Sequence, residues 1–361
     1  MKELTQKTEL FSKDSFRAIE AMNHAHFIAF APYVWEASKL LADKNILKLL
    51  EESDGLTIEE IAQKTNISHY GVRILLEAGL GIGLVYRKDD VYFLSKAGYF
   101  FITDKSIIAN YKFMRDVCFE GARYLEESIE TGKPAGLKTL GNWDTIYEGL
   151  STLHEPAKSS WFEFDHYYSD ITFDKILPIV FKTEPKSILD IGGNTGKWAL
   201  KCFNYSPTVE VGLVDLGVQL KVAEKNITQA GFRDRAQFHE INMLDDTNKL
   251  PKGYDVIWMS QFLDCFSDDQ ILSILKMCHS AADEDTVIFI NETFWDLQRF
   301  EASAFALQMT SLYFTTIANG NSQMYDSKVF FKLIDEAGFD IVEQENMIGM
   351  GHTLLTLKKK K

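Results

Sequence analysis

Cysteine is scarce. The 361 residues hold four, Cys118, Cys202, Cys265 and Cys278, and none stands in a C-x-x-C pair. That scatter argues against a disulfide framework or a zinc site and predicts reduced thiols in a cytoplasmic protein. No apolar run reaches the roughly 18 residues of a membrane-crossing helix. Residues 1–14 are polar and mixed in charge, without the apolar core of a signal peptide. Positive charge is short as well: 38 Lys and Arg face 52 Asp and Glu, for a net charge of −14. Broad contact with nucleic acid or an anionic membrane needs the opposite sign. What is present is an ordinary globular composition, 46% hydrophobic and 25% charged. At this length it predicts two domains, each with its own core.

The first half reads as helical. Apolar residues recur at helical spacing over 16–50. Thr57 followed by Glu60 forms a helix-start signature ahead of Ile58, Ile61 and Ala62. Asn66-Ile67-Ser68 is a turn and a second cap, and 69–78 a second helix, broken by Gly79, Gly81 and Gly83. Val85-Tyr86-Arg87 and Val91-Tyr92-Phe93-Leu94 flank Lys88-Asp89-Asp90 as a hairpin. Helix, turn, helix and hairpin predict a winged helix. Over 57–100, Lys64, Arg73, Arg87, Lys88 and Lys96 are matched by Glu59, Glu60, Glu77, Asp89 and Asp90. No basic face results, so oligomerisation is expected there rather than DNA reading.

Residues 121–161 are richer in Gly, Pro and polar side chains and read as a connection, and 162–181 as helical and aromatic. After Pro185, short apolar runs at 187–191, 209–215, 236–241, 255–261 and 286–291 alternate with helical segments. That alternation predicts a parallel sheet covered on both faces. A helix over 327–337 and two strands, 339–345 and 352–357, follow. The short glycine-containing loop between those strands makes them antiparallel. Domains are expected at 1–110, 111–175 and 176–361, the middle one a helical connector.

The strongest local signal is Ser187-Ile188-Leu189-Asp190-Ile191-Gly192-Gly193-Asn194-Thr195-Gly196. A buried strand ends in an acid, and a glycine-rich turn opens a helix. Glycines let a ligand approach the backbone, and helix N-terminal N–H groups favour anionic groups. The G-x-G-x-x-G dinucleotide spacing fails at Asn194 and Lys197, and no Gly-Lys-Ser/Thr follows. Asn194 tolerates the left-handed conformation, so the turn still forms. A tight turn without a ligand stays open as the plainer reading. Asp215 ends the next strand, 25 positions after Asp190, where an acid can accept both ribose hydroxyls or simply cap a helix. Asn242 and Met243 end the third strand and suit an adenine edge and face, or loop and core. Ser260 and Gln261 end the fourth, at the ligand-binding edge of such sheets.

On these motifs the second half resembles the class I S-adenosylmethionine-dependent methyltransferases. Over residues 15–358 the chain is similar to small-molecule O-methyltransferases with an N-terminal winged-helix dimerisation domain. The glycine loop, Asp215-Leu216, the block from Asp264 to Leu275, Ile288-Phe289-Ile290-Asn291-Glu292 and Glu336-Ala337-Gly338-Phe339 carry the likeness. The resemblance implies an α/β fold: a Rossmann-like seven-stranded sheet with an antiparallel last strand, preceded by a mainly helical winged-helix domain. It implies a homodimer that does not read DNA. It also implies S-adenosylmethionine as cofactor, held by Asp190, Gly192, Gly193, Asn194, Gly196, Asp215, Leu216, Asn242, Met243, Ser260 and Gln261.

Methyl transfer from a sulfonium needs no metal, only alignment and removal of the acceptor's proton. The family's base is a His after the fourth strand, in a pattern like Leu-His-Asp-Trp-x-Asp-Glu. Here the block reads Leu263-Asp264-Cys265-Phe266-Ser267-Asp268-Asp269, so Asp264 stands at the base position. The first supporting acid matches Glu292, and the second falls near Met324, where no acid stands. An exposed Asp is a poor base, but burial beside Phe262 and Phe266 would raise its pKa. Asp264 anchoring a cationic amine, bonding the substrate while the proton leaves to water, or capping the following helix are the alternatives. Ser267 is better placed for the cap. Trp161, Asp165 and His166 lie in an aromatic segment matching the family's substrate wall. Phe305, Met309 and Tyr313 recur in four-residue steps where the family lines its acceptor pocket, although such stripes also build cores. His239 and His279 read as packing or surface residues.

The function expected is methylation of a hydroxyl on a small aromatic or polyketide-like acceptor. A relative that binds the cofactor for decarboxylation or hydroxylation, an N-methyltransferase, and a non-enzymatic winged-helix regulator are the competing readings.

Overall fold

In a computed structural model of the chain, which describes residues 10–169, 172–245 and 247–360, the residues divide into two compact units, Phe11–Met114 and Arg115–Lys361. The break comes a few residues after the expected 110. Residues 115–175 belong with the sheet-bearing unit instead of standing apart.

The first unit is helical. It contains α1 (Ala18–Ala29), α2 (Ala31–Asp43), α3 (Ile46–Glu51), α4 (Ile58–Thr65) and α5 (His69–Ile82). The hairpin β1 (Val85–Lys88) and β2 (Val91–Leu94) follows, then α6 (Lys96–Thr103) and α7 (Lys105–Phe113). The Thr57 hydroxyl accepts from Glu60 N, and Thr57 N donates back to the Glu60 carboxylate, so α4 starts on a reciprocal cap. Leu41, Ile46, Leu47, Ile61, Val72 and Leu76 form the core. One expectation fails: α5 continues through Gly79 and Gly81 to Ile82, and only Gly83 takes the left-handed cap. Gly79 is there for close packing, since a Cβ would come within 3.0 Å of Val85 and 3.2 Å of Leu41.

The second unit opens with α8 (Leu125–Thr131), α9 (Ile146–Gly149), α10 (Ala157–Ser169) and α11 (Phe173–Val180). The alternating part runs β3 (Ser187–Ile191), α12 (Lys197–Tyr205), β4 (Glu210–Asp215), α13 (Gly217–Gln229), β5 (Ala236–Glu240) and β6 (Val256–Ser260). It ends with α14 (Asp268–Ala281), β7 (Val287–Thr293), α15 (Glu301–Tyr313), α16 (Ser327–Glu336), β8 (Phe339–Ile348) and β9 (His352–Lys359). The strands form one sheet in the order β5-β4-β3-β6-β7-β9-β8, in which β9 alone runs against its neighbours.

Successive strand residues serve opposite faces. Ile188, Val211, Trp258 and Phe289 pack with Ile176 of α11, Trp198 of α12 and Ala223 of α13. Leu189, Ile257, Met259 and Ile290 pack with Ile274 of α14 and Phe330 of α16. Both faces are thereby sealed, which is why the strands read as continuous apolar runs. Strand order reverses between β3 and β6, opening a crevice at their carboxyl ends.

Candidate functional site

Gly192 N extends the β3–β4 ladder to Val214 O at 2.9 Å, and the chain then turns sharply. Gly192 (φ +76°), Asn194 (φ +47°) and Gly196 (φ +79°) all take left-handed backbone. A Cβ on Gly192 would lie 2.4 Å from the Phe262 ring. The turn is tied to β4 by Asp215, whose Oδ2 accepts from Asn194 N at 2.8 Å and Oδ1 from Leu216 N at 2.7 Å. These N–H bonds work against burial, which raises the Asp215 pKa. Each carboxylate oxygen has a further lone pair for a ligand hydroxyl.

Beneath the turn Asp190 is buried, with Oδ2 lacking a hydrogen-bond partner. Burial and the neighbouring Asp215 charge push it up to about 8. Gln261 (φ +46°) follows directly on β6, with its Oε1 buried and unpartnered. Asn291 of β7 donates Nδ2 to Ser260 Oγ (2.9 Å) and Thr172 Oγ1 (3.3 Å), leaving Oδ1 without a donor. The unsatisfied buried atoms around this crevice are therefore mostly oxygens. Unmet buried acceptors are costly unless a ligand supplies donors or positive charge. A sulfonium nucleoside carrying an ammonium and ribose hydroxyls fits that set, and the glycine turn leaves it room. Asn242 and Met243 serve the loop and the core in part. Asn242 Oδ1 accepts from Leu244 N at 3.0 Å, and Met243 joins the core.

Beyond β6 the chain makes a single tight turn, Leu263–Cys265, and then enters α14. Glu292, from β7, holds that turn: its Oε1 accepts from Phe262 N (3.0 Å) and Leu263 N (2.9 Å). Glu292 Oε2 is buried without a partner. Asp264 is 5% exposed, and its Oδ1 faces the Cys265 thiol at 3.5 Å. Burial pushes Asp264 up to about 6. Burial, then the Asp264 charge, pushes Glu292 well above the ordinary carboxyl range, against the backbone N–H groups. Two buried carboxyls so close do not both ionise. The proton belongs on Glu292 Oε2, the oxygen without donors, which leaves Asp264 as the ionised partner able to accept a proton near neutrality. The capping alternative for Asp264 is taken up by Ser267, whose N donates to Gln270 Oε1 and whose Oγ accepts from Gln270 N.

Trp161 Nε1 donates to Tyr313 OH at 2.8 Å, joining α10 to α15. Asp165 lies 3.7 Å from His166 Nδ1, which in turn lies 3.0 Å from Lys197 Nζ at the start of α12. Met324 is buried, and its sulfur accepts from Thr293 Oγ1 at 3.4 Å. Phe305 (57% exposed) and Met309 (41%) share a helix with the buried Tyr313 but lie open. His239 bonds the Tyr254 hydroxyl at 3.1 Å, and His279 packs on Phe339, both outside the crevice. Sequence reasoning missed Tyr147, Cys265 and Thr172. Thr172 and Tyr147 lie in segments without a motif, and only the fold brings them to the sheet edge.

Two family descriptions match the chain, a Dimerisation2-like domain over residues 22–92 and an O-methyltransferase domain over 124–340. The L-tyrosine C(3)-methyltransferase of Streptomyces lavendulae is 21% identical over 321 residues, covering 87% of this chain and 86% of that protein. The apo structure of the S-adenosylmethionine-dependent methyltransferase SibL superposes with a TM-score of 0.70 at 21% identity, over 94% of this chain and 99% of that one. The O-methyltransferase NcsB1 from neocarzinostatin biosynthesis, in complex with S-adenosylmethionine and 2-hydroxy-5-methyl naphthoic acid, gives a TM-score of 0.63. It is 19% identical, over 96% of this chain and 99% of that one.

Proposed function

Because this chain belongs to the O-methyltransferase family, we propose that it transfers a methyl group from S-adenosylmethionine to a hydroxyl of a small aromatic or polyketide-like molecule. The cofactor supplies an electrophilic methyl group on a sulfonium. Asp190 and the turn Gly192, Gly193, Asn194 and Gly196 receive its amino-acid end. Asp215 accepts from its ribose, and Leu216, Asn242 and Met243 border its adenine. Ser260 and Gln261 close the wall at the end of β6. Trp161, Asp165, Phe305, Met309 and Met324 contribute to the acceptor's pocket. No metal is needed.

Asp264 takes the acceptor's proton on Oδ2. Glu292 keeps the turn in place and, protonated, leaves Asp264 as the base. The buried Asp264–Glu292 pair at the end of β6 and β7 is the observation that carries this reading. The first unit, with its Dimerisation2-like match, serves as a winged-helix-type dimerisation domain in a cytoplasmic homodimer that binds no nucleic acid. Residues up to 114 are assigned to it; within the second unit, 115–175 help shape the acceptor pocket and 176–361 bind the cofactor.

A second acceptor atom is the ring carbon beside a phenolic hydroxyl, favoured by the relative that methylates C3 of L-tyrosine. The same first deprotonation serves both outcomes, since a phenolate carries negative charge on oxygen and on the ortho carbon; on carbon, the dienone formed then loses its ring proton and regains one on oxygen to restore the phenol. The deciding experiment is calorimetric titration with S-adenosylmethionine, S-adenosylhomocysteine and NAD, followed by product NMR on a phenol screen. Micromolar binding of the first two without NAD, and an O-methyl product, are expected. A C-methyl product would move the reading to the ring carbon, and no binding of either sulfur compound would overturn it.

A further inference from the structure

The turn carrying Asp264 places Cys265 beside it, with Sγ 3.5 Å from Asp264 Oδ1. A thiol is a weak donor, but this one has a neighbour. The hydroxyl of Tyr147, from α9, is buried and interacts with the Cys265 side chain, but makes no hydrogen bond of normal geometry. A phenylalanine would pack equally well and spare the cost of an unmet hydroxyl, so packing does not explain a tyrosine here. The other titratable groups facing Asp264 are Glu292 from β7 and Tyr325 from the segment before α16, with Tyr313 of α15 beside Tyr147 and Cys265. None of these is a cation. Only hydrogen bonds are left to favour the Asp264 carboxylate.

We propose that Tyr147 and Cys265 are positioning residues for the base: with an acceptor in the site, the Tyr147 O–H donates to Cys265 Sγ and the Cys265 S–H donates to Asp264 Oδ1. This fixes Oδ1 and turns Oδ2 toward the acceptor. It also holds Asp264 ionised, because a donor to a carboxylate favours its charged form. The proposal rests on the reading of Asp264 as base. No proton leaves through the thiol, whose own pKa burial raises. The proton taken from the acceptor stays on Asp264 until the product departs.

The experiment compares Y147F, C265A, C265S and D264N in the full-length protein. In Y147F and C265A the acid limb of kcat should move up by about one pH unit, which leaves roughly tenfold less carboxylate well below the limb. Turnover should then fall several-fold near pH 6 and match wild type near pH 8.5, with KM for S-adenosylmethionine unchanged. C265S, which keeps a donor, should restore the limb. The protonated-carboxyl infrared band of the protein saturated with S-adenosylhomocysteine and a phenol acceptor, followed against pH, should move in the same direction. Y147F should melt no lower than wild type, because its lost hydroxyl had no partner. A limb and an infrared titration both unmoved in Y147F and C265A overturn the proposal. If D264N is inactive in that case, the base reading survives alone; if D264N turns over like wild type, the base reading falls and takes this proposal with it.

Discussion

At the scale of single residues, three carboxyls decide chemistry that burial has made unusual. Asp264→Asn keeps the shape but cannot accept a proton, so kcat should drop by about 10²–10⁴-fold, with calorimetric affinity for S-adenosylmethionine unchanged. In the wild type, kcat should rise with pH through about 6, the value at which Asp264 ionises. Asp215→Ala removes both the anchor of Asn194 N and Leu216 N and the proposed ribose acceptor. Charge-assisted bonds of about 1.5–3 kcal/mol predict at least a tenfold loss of cofactor affinity. Asp190, held near 8 by burial and Asp215, sets a pH dependence of stability. Its folded pKa lies above the unfolded one, so the folded state binds the extra proton. Stability from this group is complete below about pH 4, is lost progressively as pH rises, and is gone above about 8. The cofactor-free protein should therefore melt at a lower temperature at pH 8 than at pH 5, and Asp190→Asn should flatten that slope. Asp190 and Asp215 were legible in the sequence because each ends an apolar run before a turn. Tyr147 was not, because a tyrosine in a motif-free connector gives no sign of which side chain its hydroxyl will meet.

At the scale of elements, the glycine turn and the Leu263–Cys265 turn are interlocked. Gly192→Ala would require a left-handed alanine and drive its Cβ into Phe262. Cofactor binding should be lost in calorimetry while circular dichroism stays near wild type. Ser267 caps α14 reciprocally with Gln270, so Ser267→Ala should cost about 0.5–2 kcal/mol in denaturant unfolding. The caps at Thr57 and Ser267 were readable from residue type and spacing alone. The reach of α5 was not: a run of glycines signals a stop locally, yet Gly79 sits where a Cβ would press on Leu41 and Val85 at 3.0–3.2 Å. Likewise β7 extends to Thr293 because β9 supplies partners, Thr353 for Glu292 and His352 for Thr293. That extension puts Glu292 on a paired strand, which fixes the angle at which it grips the Leu263–Cys265 turn.

At the scale of the molecule, α1 buries none of its side chains, and Ile19, Met22, Phe27 and Ile28 are exposed on it. So large an exposed apolar surface suits an interface, and the match to a Dimerisation2-like domain supports the homodimer proposed above. Sedimentation equilibrium should return twice the chain mass. Phe27→Asp with Ile28→Asp should return one chain mass and lower the melting temperature.

The sequence by itself determined the class of fold, the two-part organisation, the glycine turn, and the acids at the ends of β3 and β4. Those features are local: period, turn chemistry and strand-end position are written in neighbouring residues. Only the tertiary structure decided that Glu292 grips the turn carrying Asp264, that the two carboxyls are buried together, and that Cys265 and Tyr147 stand beside Asp264. These depend on distances between residues far apart in the chain and on the loss of water around them. Burial raises the Asp264 pKa toward neutrality, and burial is a property of the folded whole.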